Sequence, residues 1–323
     1  MNRLALMTVF IFSAIVICSG CKKGGEEAEE EEFESHIIEG LTLDNYPKVD
    51  GSTSTEPLNK VIACNLLGIK YEWVFSETRS WGIEPVLQKN NSSKFNSRII
   101  SSQTHESFIN LIDKRANLIL SARKMSPDEK QYADAAGVTL IETPIALDAF
   151  VFIVNSVNPI ATLTIKQVQD IYTGKITNWE EVDGDDAEIN PYVRNSNSGS
   201  QELMELLVMK NLKIMEFPES RDNVIFNMQG AVDKVISDIN SICYTVYYYK
   251  EHIVRDELTK YIAIEGIYPD KKNIGNNSYP LVAEVYAVIR SNLDESSMAY
   301  KVYEWLQTEA GKQVIRESGY LTE

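Results

Sequence analysis

An α/β fold is predicted from three features of the chain. Strand-like apolar runs alternate with helix-like periodic segments from Tyr46 to the C-terminus. Three of the strand-to-helix junctions carry the same chemistry, a cluster of small hydroxyl residues at the helix start. The stretch from about Ser35 to Glu323 exceeds one typical domain and suits two lobes.

The first junction follows a strand at residues 46–50, with a turn at Gly51 and a helix continuing through Val61, Ile62, Leu66 and Leu67. Pro57 fits the first helical turn, and Ser52, Thr53, Ser54 and Thr55 supply four hydroxyls where capping needs one. The second junction repeats the design. Arg98-Ile99-Ile100 is a short strand, Ser101-Ser102-Gln103-Thr104 the turn, and Phe108, Leu111 and Ile112 the apolar face of the helix. Asn117 to Arg123 reads as a buried strand ending in small residues, and Ser126 caps a helix opening with Pro127-Asp128-Glu129. Residues 144–154 form an apolar strand long enough to cross between lobes. Residues 163–172 are helical, 174–179 a turn, and 189–193 a short strand. That strand feeds the third junction, Arg194-Asn195-Ser196-Asn197-Ser198-Gly199-Ser200-Gln201-Glu202, which runs into a helical segment bearing Leu203, Leu206 and Leu207. Beyond it come a helix at 230–239, strands at 242–248 and 280–290, and one amphipathic helix at 298–315.

Helix starts with free N–H groups, Ser hydroxyls and the fork of an Arg suit a small oxyanion. Each junction alone reads equally well as an ordinary N-cap. Three of them, at the carboxyl ends of strands where open α/β sheets bind ligands, argue for one shared anion site.

The N-terminus carries an address. A short basic start precedes an apolar run at 4–17, of signal-peptide length, which ends in Cys18-Ser19-Gly20-Cys21. Small residues directly before a Cys resemble a bacterial lipoprotein cleavage site, which implies lipid on Cys21. Cys18 stands where a larger hydrophobic residue is usual. Seven Glu between Glu26 and Glu34 then make a segment with too little apolar surface to order itself, a flexible acidic spacer. The spacer supplies seven of the negative charges in a formal total of −16, so the body is less acidic than the total suggests. No strongly basic face for nucleic acid is indicated. Cys64 and Cys243 read as two buried free thiols, although pairing stays open. His36, His105 and His252 are scattered and no metal-ligand spacing exists, so neither a metal nor a cofactor is expected.

From Tyr46 to Leu321 the chain resembles the phosphate-binding proteins of bacterial phosphate ABC transporters. The resemblance rests on Ile171-Tyr172-Thr173-Gly174-Lys175-Ile176-Thr177-Asn178-Trp179 with Asn155 before it, on Tyr279-Pro280-Leu281, and on Glu309-Ala310-Gly311-Lys312 with Gly319-Tyr320. The first string is structural in role. The resemblance implies a two-lobed periplasmic binding protein fold with hinge strands, closing on its ligand. It divides the chain into a signal peptide (1–20), an acidic tether (21–44), a first lobe (45–147 and 250–323) and a second lobe (148–249). It implies capture of inorganic phosphate or a related oxyanion by a lipid-anchored monomer and delivery to permease subunits, without catalysis. Its ligand contacts carry over to Thr53, Ser54, Thr104, Arg194, Ser198, Gly199 and Ser200. Some members place an Asp after the third strand, where it accepts a hydrogen bond from protonated phosphate. Ala122 stands there, so Ser121, one residue earlier, is the expected contact, and the choice between phosphate and sulfate is left open. Asp148 is a candidate substitute acceptor, beside its reading as a hinge-strand residue making structural hydrogen bonds.

Two other functions suit parts of this pattern. One is a surface sensor or adhesion protein on the same fold, binding another tetrahedral oxyanion or a macromolecule. The other is a phosphate-ester hydrolase, which needs a nucleophile with its base or paired metals. His105 is the one histidine close in sequence to a Ser-rich turn.

Overall fold

The computed structural model describes residues 38–217 and 222–322, which fall within one compact unit, Ser35–Glu323. The apolar signal segment, Cys21 and the Glu-rich run lie outside the described residues. Chain order begins with β1 (Val49–Gly51), α1 (Glu56–Leu67), β2 (Tyr71–Phe75), β3 (Trp81–Pro85), α2 (Lys89–Arg98), α3 (Thr104–Ile112), β4 (Leu118–Ser121) and α4 (Pro127–Ala135). It continues with β5 (Leu140–Asn155), β6 (Thr162–Leu163), α5 (Ile165–Tyr172), β7 (Asn190–Pro191), β8 (Val193–Arg194), α6 (Gly199–Leu203), β9 (Val224–Ile225) and α7 (Met228–Ser237). The last elements are β10 (Ser241–Val246), β11 (Thr259–Tyr261), β12 (Ala263–Ile264), α8 (Lys271–Gly275), β13 (Val282–Arg290), α9 (Met298–Trp305) and α10 (Glu309–Glu317).

The sixteen-residue β5 organises the body. Its first part, residues 140–149, pairs antiparallel with β13, which pairs with β4, which lies parallel to β1. Its second part, from Phe150 onward, pairs antiparallel with β10 on one edge and β11 on the other, and β7 extends the sheet beyond β10. One strand thus serves two halves. It is buried without interruption from Ile145 to Asn155, as a strand covered on both faces must be, which is why its sequence is an apolar run and not an alternation. The pairing of β11 with β5 and of β12 with β6 keeps residues 259–264 beside the second half.

The second half is built on an aromatic cluster of Phe150, Phe152, Tyr172 and Tyr244, with ring centroids 5.3 to 6.1 Å apart. Tyr172 donates to the carbonyls of Tyr192 and Ile242, and Trp179 Nε1 donates to the Asn240 carbonyl at 3.0 Å. The Ile171 to Trp179 string earns its residues here, as packing and as backbone clamps.

Several expectations change in detail. The helix expected at 298–315 is two helices, because Thr308 caps a fresh start by accepting from Gly311 N at 3.2 Å. The apolar segment after Ser200 is α6 followed by a π-helical turn at Met204–Met209. The hairpin of β2 and β3, and α2, were not foreseen. Ile38, Leu41 and Leu43, expected in the tether, pack against the core. Cys64 and Cys243 are buried and unbridged, and burial pushes both thiols up to about 12.

Candidate oxyanion-binding site

All three hydroxyl-rich junctions open onto one cavity of about 480 Å³. The first arrives because β1 runs tight against β4. A Cβ on Gly51 would meet the Leu120 carbonyl oxygen at 2.5 Å, and Ser52 N instead donates to that oxygen at 3.0 Å. Thr53 and Ser54 follow in a 3-10 turn and line the cavity. Asp50, fully buried, ties the second junction to the first. Its carboxylate accepts from Gly51 N, Ser102 N, Ser102 Oγ and Asn110 Nδ2 at 2.5 to 2.9 Å. Thr104 Oγ1 then sits 2.9 Å from Ser52 Oγ, which in turn accepts from Ala122 N at 3.0 Å. The residue before Thr104, Gln103, adopts φ 73 and ψ 167, a backbone region almost confined to glycine, and it also lines the cavity. Strain of this kind is characteristic of binding sites.

The opposite wall comes from the second half of the body. Arg194 ends β8, and Ser198, Gly199 and Ser200 open α6. Arg194 N donates to Tyr244 Oη at 3.0 Å and to Gln201 Oε1 at 3.2 Å, and Nε donates to the Ile225 carbonyl at 3.1 Å. The first two bonds hold the backbone and the third holds the guanidinium, yet Nη1 is buried with no partner. Arg194 is 6 % exposed, and burial lowers its proton affinity. Its electrostatic neighbours are Cys243, Tyr244 and Tyr249, none of them a carboxylate. Among the described residues, the hydroxyls of Thr53, Ser54, Ser198 and Ser200 make no hydrogen bond within the protein, and Ser198 spends none on capping α6. An unpaired buried cation ringed by uncommitted hydroxyls is the arrangement expected of an anion site.

Ser121 stands apart from the expectation. It does not line the cavity, because its Oγ donates to the Arg123 carbonyl at 2.6 Å. Successive strand residues face opposite ways, and the next residue, Ala122, is the one that lines the wall. Asp148 is also outside the cavity. It lies at the crossing point of β5, where Oδ1 accepts from Ala149 N and Tyr248 N. His105 belongs to a separate network: its Nδ1 is 3.0 Å from Glu129 Oε1, and Glu129 holds Arg123 in a bidentate pair at 2.8 Å. No group of three His, Cys, Asp or Glu able to hold a metal occurs among the described residues, and no described helix is long and apolar enough to cross a membrane. Thr78 and Ser80 from the hairpin, Gln229 and Asp233 from α7, and Tyr249 also line the cavity. No local motif marks them, since distant elements bring them there.

Gly199 and Thr104 meet across the cavity. A Cβ on Gly199 would lie 2.4 Å from Thr104 Oγ1 and 3.1 Å from its Cβ. Gly199→Ala is therefore expected to hold the two walls apart. In a titration it should weaken anion binding by about tenfold or more while leaving the melting temperature almost unchanged. Wild-type affinity in this variant would show that the close approach has no part in binding.

A long strand shared by two halves, with an anion cavity walled by both, defines a two-lobed α/β binding protein. A family model described as a PBP superfamily domain matches residues 78–310, and the chain belongs to that superfamily. It is 27% identical over 214 residues to the phosphate-binding protein PstS of Borreliella burgdorferi, covering 65% of this chain and 74% of the relative. Among solved structures it is similar to a Clostridium perfringens substrate-binding protein with bound phosphate, with TM-score 0.63 and 23% identity over 85% of this chain and 98% of the other. It is likewise similar to an ABC-type phosphate transport receptor from Vibrio cholerae, with TM-score 0.60 and 21% identity, covering 88% and 100%.

Proposed function

We propose that this protein captures inorganic phosphate between its two lobes and hands it to the permease of an ABC transporter on the extracytoplasmic face of a bacterial membrane. The observation that carries this reading is Arg194: a fixed, buried guanidinium with an unpartnered Nη1, facing hydroxyls from both halves of the body. Thr53, Ser54, Thr104, Ser198, Gly199 and Ser200 are its companions in the site. The relatives named as phosphate-binding proteins support phosphate as the anion. Lipid on Cys21 and action as a monomer complete the proposal, with capture and release requiring no chemical step.

The test is a titration of the full-length protein with phosphate and with sulfate, followed by tryptophan fluorescence. Trp81 adjoins Ser80, which lines the cavity, so it reports on the site. Saturable one-site phosphate binding is expected. Its absence would overturn the reading.

A further inference from the structure

Residues 247–249 are three tyrosines in succession, and each side chain has a different setting. Tyr247 stacks on Tyr261, with ring centroids 5.6 Å apart. Tyr248 stacks on Tyr320, and its Oη donates to the Ser318 carbonyl at 2.8 Å. Tyr249 opens the π-helical turn Tyr249–Val254 and lines the oxyanion cavity. It is 5 % exposed, yet among the described residues its hydroxyl has no hydrogen-bond partner. Buried tyrosine hydroxyls usually find one, as those of Tyr172, Tyr244, Tyr261, Tyr279 and Tyr320 do. The Tyr249 oxygen is also not one of the sealed, unpartnered atoms, as the Tyr46 oxygen is. It is therefore uncommitted and open to a cavity. Tyr249 stands where the oxyanion cavity adjoins a second one of about 290 Å³ behind the β2–β3 hairpin. The charges that act on its phenol are, in order, those of Arg194, Asp233 and Glu56. Arg194 and Asp233 line the oxyanion cavity, and Glu56 lines the second. Arg194 in turn has Tyr249 among its electrostatic neighbours.

We infer that Tyr249 is a ligand-binding residue of this site: its hydroxyl donates a hydrogen bond to the oxyanion held by Arg194. The inference rests on the oxyanion reading given above. The guanidinium and the phenol come from different segments, β8 and the π-helical turn, and no hydrogen bond joins them, although each acts on the other's charge. A small anion between them accepts from both, which satisfies Arg194 Nη1 and the Tyr249 hydroxyl together. The phenol is suited to donate because it keeps its proton. Burial pushes it up to about 12, against the smaller opposing pull of Arg194. Its position is set by the part of the fold that joins the two halves: the preceding residue, Tyr248, donates its N–H to Asp148 on β5 at 2.9 Å. The hydroxyls of Thr53, Ser54, Ser198 and Ser200 belong to the junction turns, so Tyr249 adds a donor from a third direction.

The experiment titrates phosphate into the full-length protein and two variants, with thermal melts on the same preparations. Tyr249→Phe keeps the ring and removes only the oxygen. It deletes a hydrogen bond to a charged acceptor, so the phosphate dissociation constant is expected to rise about tenfold or more while the melting temperature stays close to that of the parent. Tyr247→Phe makes the same substitution two residues away, at a side chain that lines neither cavity, and the affinity of the parent is expected. A Tyr249→Phe variant that binds phosphate as tightly as the parent would overturn the assignment and leave the oxyanion reading standing. Equal losses of affinity in the two variants would also overturn it, since they would mark a general effect on this segment and not a lost contact. Absence of saturable binding of phosphate or sulfate by the parent protein defeats the oxyanion reading itself, and this inference with it.

Discussion

Above pH 7 the Asp148→Asn variant is expected to be more stable than the parent protein by about 4 kcal/mol, and the two are expected to converge near pH 4. Asp148 is 3 % exposed, and among the described residues no basic group acts on its carboxyl; its electrostatic surroundings are Tyr247, Tyr248 and Tyr320. Burial raises its carboxyl from 3.8 to about 7, against the smaller opposing pull of the Tyr248 and Ala149 N–H groups. Between those values the folded protein holds a proton that the unfolded chain has released. Stability is therefore highest below the unfolded value, falls as pH rises, and levels once the folded group ionises. Asparagine keeps the oxygen that accepts from Ala149 N and Tyr248 N at 2.8 and 2.9 Å and cannot ionise, so its pH slope across this window disappears. Urea unfolding at several pH values between 4.5 and 8 measures both curves. Parallel curves would show that the carboxylate is stabilised by something other than its two N–H partners.

The position of Asp148 gives that cost a structural setting. It pairs with Ala283 on β13, and two residues later Phe150 pairs with Val246 on β10, so the carboxyl sits where β5 passes from one half to the other. Its second partner, Tyr248 N, lies just beyond β10. Tyr248 stacks on Tyr320 with centroids 3.7 Å apart, and Tyr320 Oη donates to the Ser54 carbonyl at 2.9 Å. The crossing strand, the C-terminus and the first binding turn are thus one connected group. Retaining an ionisable side chain there at a loss in stability fits the general trade between function and stability at working sites.

The sequence carried the local half of this design well and the tertiary half poorly. Ser126 stands at the N-cap of the helix that opens at Pro127, as expected, and the hydroxyl-rich turns at Thr53, Thr104 and Ser198 do lead into helical turns. Local pattern is enough for such features because the interacting groups lie within a few residues. The misplacement at Ser121 has a different origin. Strand alternation fixes that Ser121 and Ala122 face opposite ways, but only the sheet's packing decides which of them meets the cavity. The amphipathic period from Met298 to Ile315 continues through the break at Thr308, so periodicity hid two helices; the Thr308-Glu309 pair, a start signal, was the available clue. Gln229 carries no local signal at all, since the packing of α7 against distant elements brings it to the cavity.

Arg194→Met is expected to act in opposite directions on binding and on stability. In the unliganded protein the guanidinium is buried with one N–H group unsatisfied and no carboxylate among its electrostatic neighbours, and burial alone is the leading influence on its charge. Replacing such a buried ion by an apolar side chain of similar length is expected to raise stability by about 1–4 kcal/mol. The same change leaves a bound oxyanion without the one buried cation that lines the cavity among the described residues, at an expected loss of at least about 2 kcal/mol, or roughly thirtyfold in affinity. Arg194→Lys tests the geometry. A lysine keeps the charge, but its compact ammonium lacks the planar fork with which arginine bonds Ile225 O through Nε while presenting Nη1 to the ligand, so intermediate affinity is expected. Titration and urea unfolding on the same preparations separate the two effects. A methionine variant that is both more stable and unable to bind identifies Arg194 as a charge held in the fold for its ligand. One that binds as tightly as the parent would remove Arg194 from the site.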